Sequence, residues 1–430
     1  MASSADHPQN PAERLIGAVI QSTWLLWLVG GLYIAGPALG WILAGMAAWA
    51  LYSAPGRAPD ARAASPDWVI HTWIAGMAAM LLILWIGHTT NALGLATTIK
   101  STIGWAKGWA LIALFPFAGA VLNIRLEVIA RAVCKLGVQT LWLIPVFLLA
   151  PFVGLPETLW VSPLSIIGGS GPEYFAVTLY TLEPGSGVPR WQFFAPWSPA
   201  AGMIAVIYVI LALQEKHLGW RTAGITAAVL IALLSQSRLA LVALAVILPT
   251  IWALRHGSRP GLWLAAVPVI LLAGIFGGAL IDWAQQLVAD FSSARADSSR
   301  VRATLGRIAI ERWQNEAPWF GHGIVEAGPH LVEYMPIGSH HSWYGLLFVK
   351  GLTGALALAV PMIATIAVLG SAALSSAGGR CGFAMIAVMA LYSFGENLEM
   401  LAYLVWPAWV AIGTSLAEAR KLRGATGASA

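Results

Sequence analysis

Two adjacent histidines, His340 and His341, close a stretch that already carries Arg295, Arg300, Arg302, Arg307 and Arg312, with His322 and His330 between. From Asp282 to His341 the chain stays polar, and long apolar runs resume on both sides. An imidazole is neutral near pH 7 and can accept a proton from a hydroxyl group. Adjacent histidines at a helix start cannot both point at one atom, so only one of the pair serves as base. A guanidinium is a planar fork that grips two phosphate oxygens at once, so clustered arginines suit a pyrophosphate. Metal ligation by His322, His330, His340 and His341 lacks a supporting spacing, and no metal is expected.

Two more cations lie outside this loop. Arg238 interrupts the apolar run IALLSQSRLALVALAV, where the SQSR tetrapeptide breaks a helix. A charge in such a setting must be paired or reach water, and a turn arginine snorkelling outward is the plainer reading. Arg190 sits among prolines and aromatics in GSGVPRWQFFAPWSPAAG. Between 299 and 315, Val301, Leu305, Ile308 and Trp313 recur at helical intervals and Pro318 marks a stop. That helix would either lie on the membrane surface with its arginines on lipid headgroups or turn them to an anionic ligand.

The elements that position these residues are membrane spans. The chain of 430 residues is 58% hydrophobic and only 10% charged, with mean hydropathy +0.75, which places it in lipid. Its 22 Trp suit interfacial ring positions. Cys134 and Cys381 have no motif spacing, and neither a disulfide nor a zinc site is expected. No cleavable leader is apparent in MASSADHPQNPAER. Twelve spans are expected near 14–31, 36–53, 68–90, 108–124, 136–155, 199–214, 221–236, 239–254, 261–282, 342–369, 383–395 and 401–417. The expected organisation is 1–282, nine spans with a long connection at 156–198; 283–341, a long loop; and 342–430, three spans and a tail.

Loop charge sets the orientation. With the N-terminus inside, the inner connections receive Arg57 and Arg62, Arg125, Arg131 and Lys135, Lys216 and Arg221, Arg255 and Arg259, Arg380, and finally Arg420, Lys421 and Arg423. The short outer connections at 32–35 and 395–400 have no Lys or Arg. This is the positive-inside pattern, with both termini cytoplasmic. The loop 283–340 and the connection 156–198 then face outward. Arginines there are not explained by insertion, which favours a ligand for Arg190, Arg238 and the 300–312 group.

With these residues in view, the chain resembles the O-antigen ligase and O-antigen polymerase group of bacterial envelope glycosyltransferases. SQSRLALVAL resembles the family's Ser-Arg pair before an apolar helix. PWFGHGI resembles its Pro-x-x-Gly-x-Gly turn, at Pro318, Gly321 and Gly323. HHSWYGLLFVKGLTG resembles its His-Asn-x-aromatic signature and following Gly-x-x-Gly helix, with His340 at the family histidine and Gly351 and Gly354 at the glycines. His341 stands where the family has Asn, and the loop arginine has two counterparts, Arg300 and Arg302. The likeness runs over roughly 185–365.

The resemblance implies an all-α, GT-C-like membrane protein of the bacterial inner membrane, with a partly helical periplasmic loop and its active site facing the periplasm. It implies a metal-independent, inverting ligase without a cofactor. The donor would be a glycan on undecaprenyl pyrophosphate and the acceptor a hydroxyl of lipid A-core, with membrane lipid around it and no nucleic acid. His340 would be the general base; Arg190, Arg238, Arg300 or Arg302, with His341, would bind substrate. An O-antigen polymerase or a protein O-oligosaccharyltransferase of the same family is the nearest alternative. A transporter or flippase would want ionisable residues at mid-depth in the bilayer, and the expected spans are nearly clear of them.

Overall fold

The computed structural model describes residues 8–53, 65–169, 171–183, 187–257 and 296–427, with isolated positions 259, 282 and 286. The expected span at 261–282 and Arg295 therefore lie outside the described residues, apart from Asp282. The protein is mostly helical. Its helices are α1 Pro11–Gln21, α2 Thr23–Leu28, α3 Leu32–Tyr52, α4 Trp68–Thr90, α5 Leu95–Lys107, α6 Trp109–Val121 and α7 Leu126–Leu149. After the long connection come α8 Ser198–Ala212, α9 Leu218–Leu234 and α10 Arg238–His256. The loop contributes α11 Ala296–Glu316, followed by α12 Ser342–Ala373, α13 Ala377–Tyr392, the single turn α14 Leu398–Leu401 and α15 Trp406–Gly427.

Among the described residues six helical stretches are long and apolar enough to cross a membrane, and three shorter apolar helices, Ser198–Ala212, Leu218–Leu234 and Ala377–Tyr392, accompany them. One helix was not expected. Leu95–Lys107 has no buried residue and meets α6 at Gly108. The connection before α8 holds two short 3-10 helices, Pro163–Ile167 and Pro172–Tyr174, and two small antiparallel ladders, β1 Thr158–Val161 with β2 Ala176–Thr178, and β3 Thr181–Leu182 with β4 Pro189–Arg190. These short ladders sit within a mostly helical protein, consistent with an all-α membrane fold.

Charge divides the molecule into two ends. At one end the cations of the connections expected to be internal meet acids. Arg125 binds Glu13 at 2.9 Å, Arg131 binds Glu215 at 2.6 Å, and Arg423 pairs with Asp67. At the other end the connections 30–33, 158–197, 318–341 and 393–405 pack on one another, through rings such as Tyr33 against Tyr174 and Tyr403. Small residues let α6 and α15 approach closely. A Cβ added to Gly119 or Gly413 would come within 2.3 or 2.0 Å of the opposing backbone, the small-residue contact that membrane helices use.

Candidate active site

Helix α11 forms where the sequence puts an apolar stripe. Val301 and Leu305 are buried with Val332, and Ala309 with Ile337 and Phe348. Protein, rather than lipid, covers this face, so the helix does not lie freely on a membrane surface. Gly306 allows its closest approach: a Cβ there would stand 2.6 Å from Tyr344. Arg302 lies four residues earlier, hence on the same face. Its guanidinium acts electrostatically on His340 and on Glu396. Arg300 is two residues away, about 200° around the axis, so the helix cannot turn both arginines toward His340. Both side chains are exposed.

The two histidines separate by geometry. His341 is the N-cap of α12: its Nδ1 accepts the Tyr344 amide at 3.2 Å, and its ring stacks on Tyr344 with centroids 3.8 Å apart. A nitrogen occupied in this way is not available as a base. His340 precedes it with φ of 60°, in the left-handed region, and its imidazole makes no hydrogen bond among the described residues. Burial, then the Arg302 guanidinium, holds the His340 pKa down at about 4, so the ring is neutral at pH 7.

Five hydrogen bonds sew the start of α12 to the connection 393–398. His341 N donates to Asn397 Oδ1 at 3.1 Å, Ser342 N to the Ser393 carbonyl at 2.9 Å, and Trp343 Nε1 to Ser393 Oγ at 2.8 Å. Ser342 Oγ donates to the Glu396 carbonyl at 2.7 Å and accepts the Leu398 amide at 3.0 Å. The Glu396 carboxylate, 1% exposed, accepts the Trp197 indole at 3.0 Å. Burial pushes its pKa up to about 7 against the opposing pull of Arg302 and Trp197.

Arg190 and Arg238 come together through backbone. The segment 189–191 docks on the 234–237 turn: Trp191 N donates to the Leu234 carbonyl at 3.3 Å, and Gln236 Nε2 to the Pro189 carbonyl at 3.1 Å. Arg190 itself donates to the Ser235 carbonyl at 3.4 Å and faces Glu183 at 3.9 Å. It lines an open groove of about 550 Å³ with Glu173, Gln192 and Trp197. Arg238 opens α10 behind its Ser237 cap. The next residue, Leu239, lies against Gly395, where an added Cβ would be 2.9 Å away. Leu239, next to Arg238, thus touches Gly395, and Arg302 acts electrostatically on the following residue, Glu396.

The other loop cations have structural partners. Arg312 bridges Glu316 and Glu326 at 2.8 and 2.6 Å, and His322 joins Glu316 at 2.8 Å while its ring lies 4.2 Å over Phe348. Arg307 donates to Thr304. Among the described residues no group of three or more His, Cys, Asp or Glu converges to hold a metal.

The expected single span at 342–369 is two helices. Gly351, at φ 65° and ψ −166°, breaks it. The PWFGHG turn crosses the break and satisfies the exposed backbone. His322 N and Gly323 N donate to the Phe348 and Val349 carbonyls, while Leu352 N and Thr353 N donate to those of Pro318 and Trp319. A discontinuous span is tolerated only where other protein groups replace the missing bonds. The two glycine motifs are thus the two sides of one contact.

Glu396 is the residue that sequence reading missed. Its signal is present: two acids and an Asn crowd GENLEM, a short connection between apolar runs that has no Lys or Arg.

Fold and site define the class as a mostly helical, multi-pass membrane protein with a histidine–arginine centre at one end of its helices. Residues 223–359 match the family model described as O-antigen ligase. Over that stretch, which includes α10, the loop and the broken part of α12, the chain is similar to that family. Arg190 and Glu396 lie outside the matched residues. No curated protein matches the chain.

Proposed function

We propose that this protein transfers a glycan from undecaprenyl pyrophosphate to a sugar hydroxyl of lipid A-core, at the periplasmic face of the bacterial inner membrane. The reading includes twelve spans in a GT-C-like arrangement with both termini cytoplasmic. The acceptor oxygen attacks the anomeric carbon as the bond to the pyrophosphate oxygen breaks. The acceptor proton passes to His340, and the pyrophosphate leaves with the electron pair of the broken bond. Arg190, Arg238 and Arg302 hold the diphosphate and offset the charge that grows on it. Arg300 contributes long-range charge. His341 orients the start of α12 and is not the base. Attack in one step inverts the anomeric carbon, and guanidinium charge takes the place of a metal.

The observation that carries this reading is the neutral His340 imidazole, without a protein hydrogen bond among the described residues, beside the Arg302 guanidinium. The test is transfer by purified protein from carrier-linked glycan to lipid A-core in the presence of EDTA. Product on the core supports the reading. Lengthened carrier-linked chains with an unmodified core would replace it with a polymerase, and glycosylated protein with an oligosaccharyltransferase.

A further inference from the structure

The first segment of α12 turns Ser342, Gly345, Leu346, Val349 and Lys350 to one face, at positions i, i+3, i+4, i+7 and i+8. That face walls a cavity of about 320 Å³, closed by residues 336–339, by Asn397–Met400 and by Trp109 at the start of α6. Lys350 is only 4% exposed and has no hydrogen bond or ion pair among the described residues, although Glu399 lines the same cavity. The buried Ser339 hydroxyl, also in the wall, likewise lacks a partner among the described residues. Glu399 acts on the Lys350 ammonium electrostatically without bonding it, which leaves its buried donors for an acceptor that enters from outside.

The chemistry of the wall selects the occupant. Lys350 can only donate and an ionised Glu399 can only accept, while most of the remaining lining is apolar. A phosphate would suit Lys350 and be repelled by Glu399. A hydrocarbon chain would satisfy neither. A sugar ring satisfies both, because each hydroxyl donates and accepts, and its carbon face can lie on Trp109 and Met400. We infer that this cavity is a subsite for one sugar ring, held between Lys350 and Glu399. Ser339 and Ser342 flank the His340–His341 pair in sequence, so the ring lies beside the proposed base. The inference rests on the glycan-transfer reading and adds to it the residues that recognise a sugar next to the reacting bond. That sugar belongs either to the acceptor or to the donor.

The experiment uses the full chain in detergent and two probes: core oligosaccharide freed of lipid A, and donor glycan released from its carrier. Both are prepared from cells lacking this protein. Saturation-transfer NMR reads binding without requiring turnover. One probe is expected to bind the native protein and to weaken about ten-fold or more in both K350M and E399Q, the loss of a hydrogen bond to a charged group. Which probe weakens names the source of the sugar. In transfer assays the same variants should raise KM for that substrate rather than depress kcat alone.

Native-strength binding in either variant, or no binding of either probe to the native protein, would overturn the subsite. Should one variant fail to fold, the other reads the same cavity through the opposite charge. Variant-sensitive binding without any transfer would keep the subsite and remove the proposed reaction. Transfer with unaltered KM in both variants would do the reverse.

Discussion

The His341 imidazole lies flat on the Tyr344 ring, 3.8 Å between centroids, and accepts the backbone amide of the same tyrosine. This cap-and-stack pair uses one histidine to build the helix start, while its neighbour, His340, makes no hydrogen bond among the described residues. His340→Ala is expected to lower transfer by about two to four orders of magnitude, the range for loss of a general base, with melting temperature unchanged. His341→Asn keeps a capping side chain and should retain transfer. His341→Ala should cost about 1 kcal/mol of stability from the lost cap. Steady-state rates and thermal melts of the three variants in one detergent decide this; a reversal of the two positions would assign the base to His341.

Arg302 is the second cause, after burial, of the low His340 pKa. Arg302→Gln should therefore raise that pKa from about 4, yet not to the ordinary 6.5, because the ring stays buried. The acid limb of the pH–rate profile should move upward with it, and transfer should weaken through poorer diphosphate binding. Arg302→Lys should restore only part of the affinity, since a point charge cannot form the two-oxygen fork. Histidine NMR titration reads the pKa directly; an unmoved His340 resonance would mean that Arg302 does not face it.

Glu396 gives a pH dependence of stability with a definite sign. Its pKa in the fold is about 7 against an ordinary 4.5, so between those values the folded protein keeps a proton that the unfolded chain has released. Stability from this group falls as pH rises through that window and does not fall further above it. Glu396→Gln removes the dependence while still accepting the Trp197 indole. The melting temperature of the variant relative to the native protein should therefore rise from pH 5 to pH 8. A constant difference would show that Glu396 titrates normally.

Gly351 carries the break in α12. Alanine there meets a left-handed φ, worth about 1–3 kcal/mol of strain, and its Cβ would fall 2.3 Å from the Trp319 carbonyl. Gly351→Ala should lower stability by at least that strain and loosen the PWFGHG turn. Hydrogen exchange at His322 and Gly323, whose amides bind the Phe348 and Val349 carbonyls, should accelerate. Unchanged protection at both amides would show that the two segments do not depend on each other.

Much of the layout was legible because a bilayer leaves few options for an apolar run. The expected spans at 68–90, 199–214 and 239–254 correspond to Trp68–Thr90, Ser198–Ala212 and Arg238–His256, and the stripe Val301, Leu305, Ile308 gave α11. Arg190, Arg238 and His340 stand out in the sequence for one reason, charge or imidazole where lipid insertion does not require it. Residue type and hydropathy period are local properties, and sequence alone determined what depends on them: a multi-pass helical chain, its polar loop, and the types of side chain proposed for the site.

What tertiary structure decided was the surroundings of near-identical neighbours. His340 and His341 differ only in which one caps a helix, and Arg302 and Arg300 only in which side of α11 meets Tyr344 at Gly306. Glu396 and Lys350 looked unremarkable in apolar surroundings until packing removed them from solvent. Burial, partner geometry and pKa arise from contacts between segments distant in the chain, such as Trp197 with Glu396, and no local period encodes those.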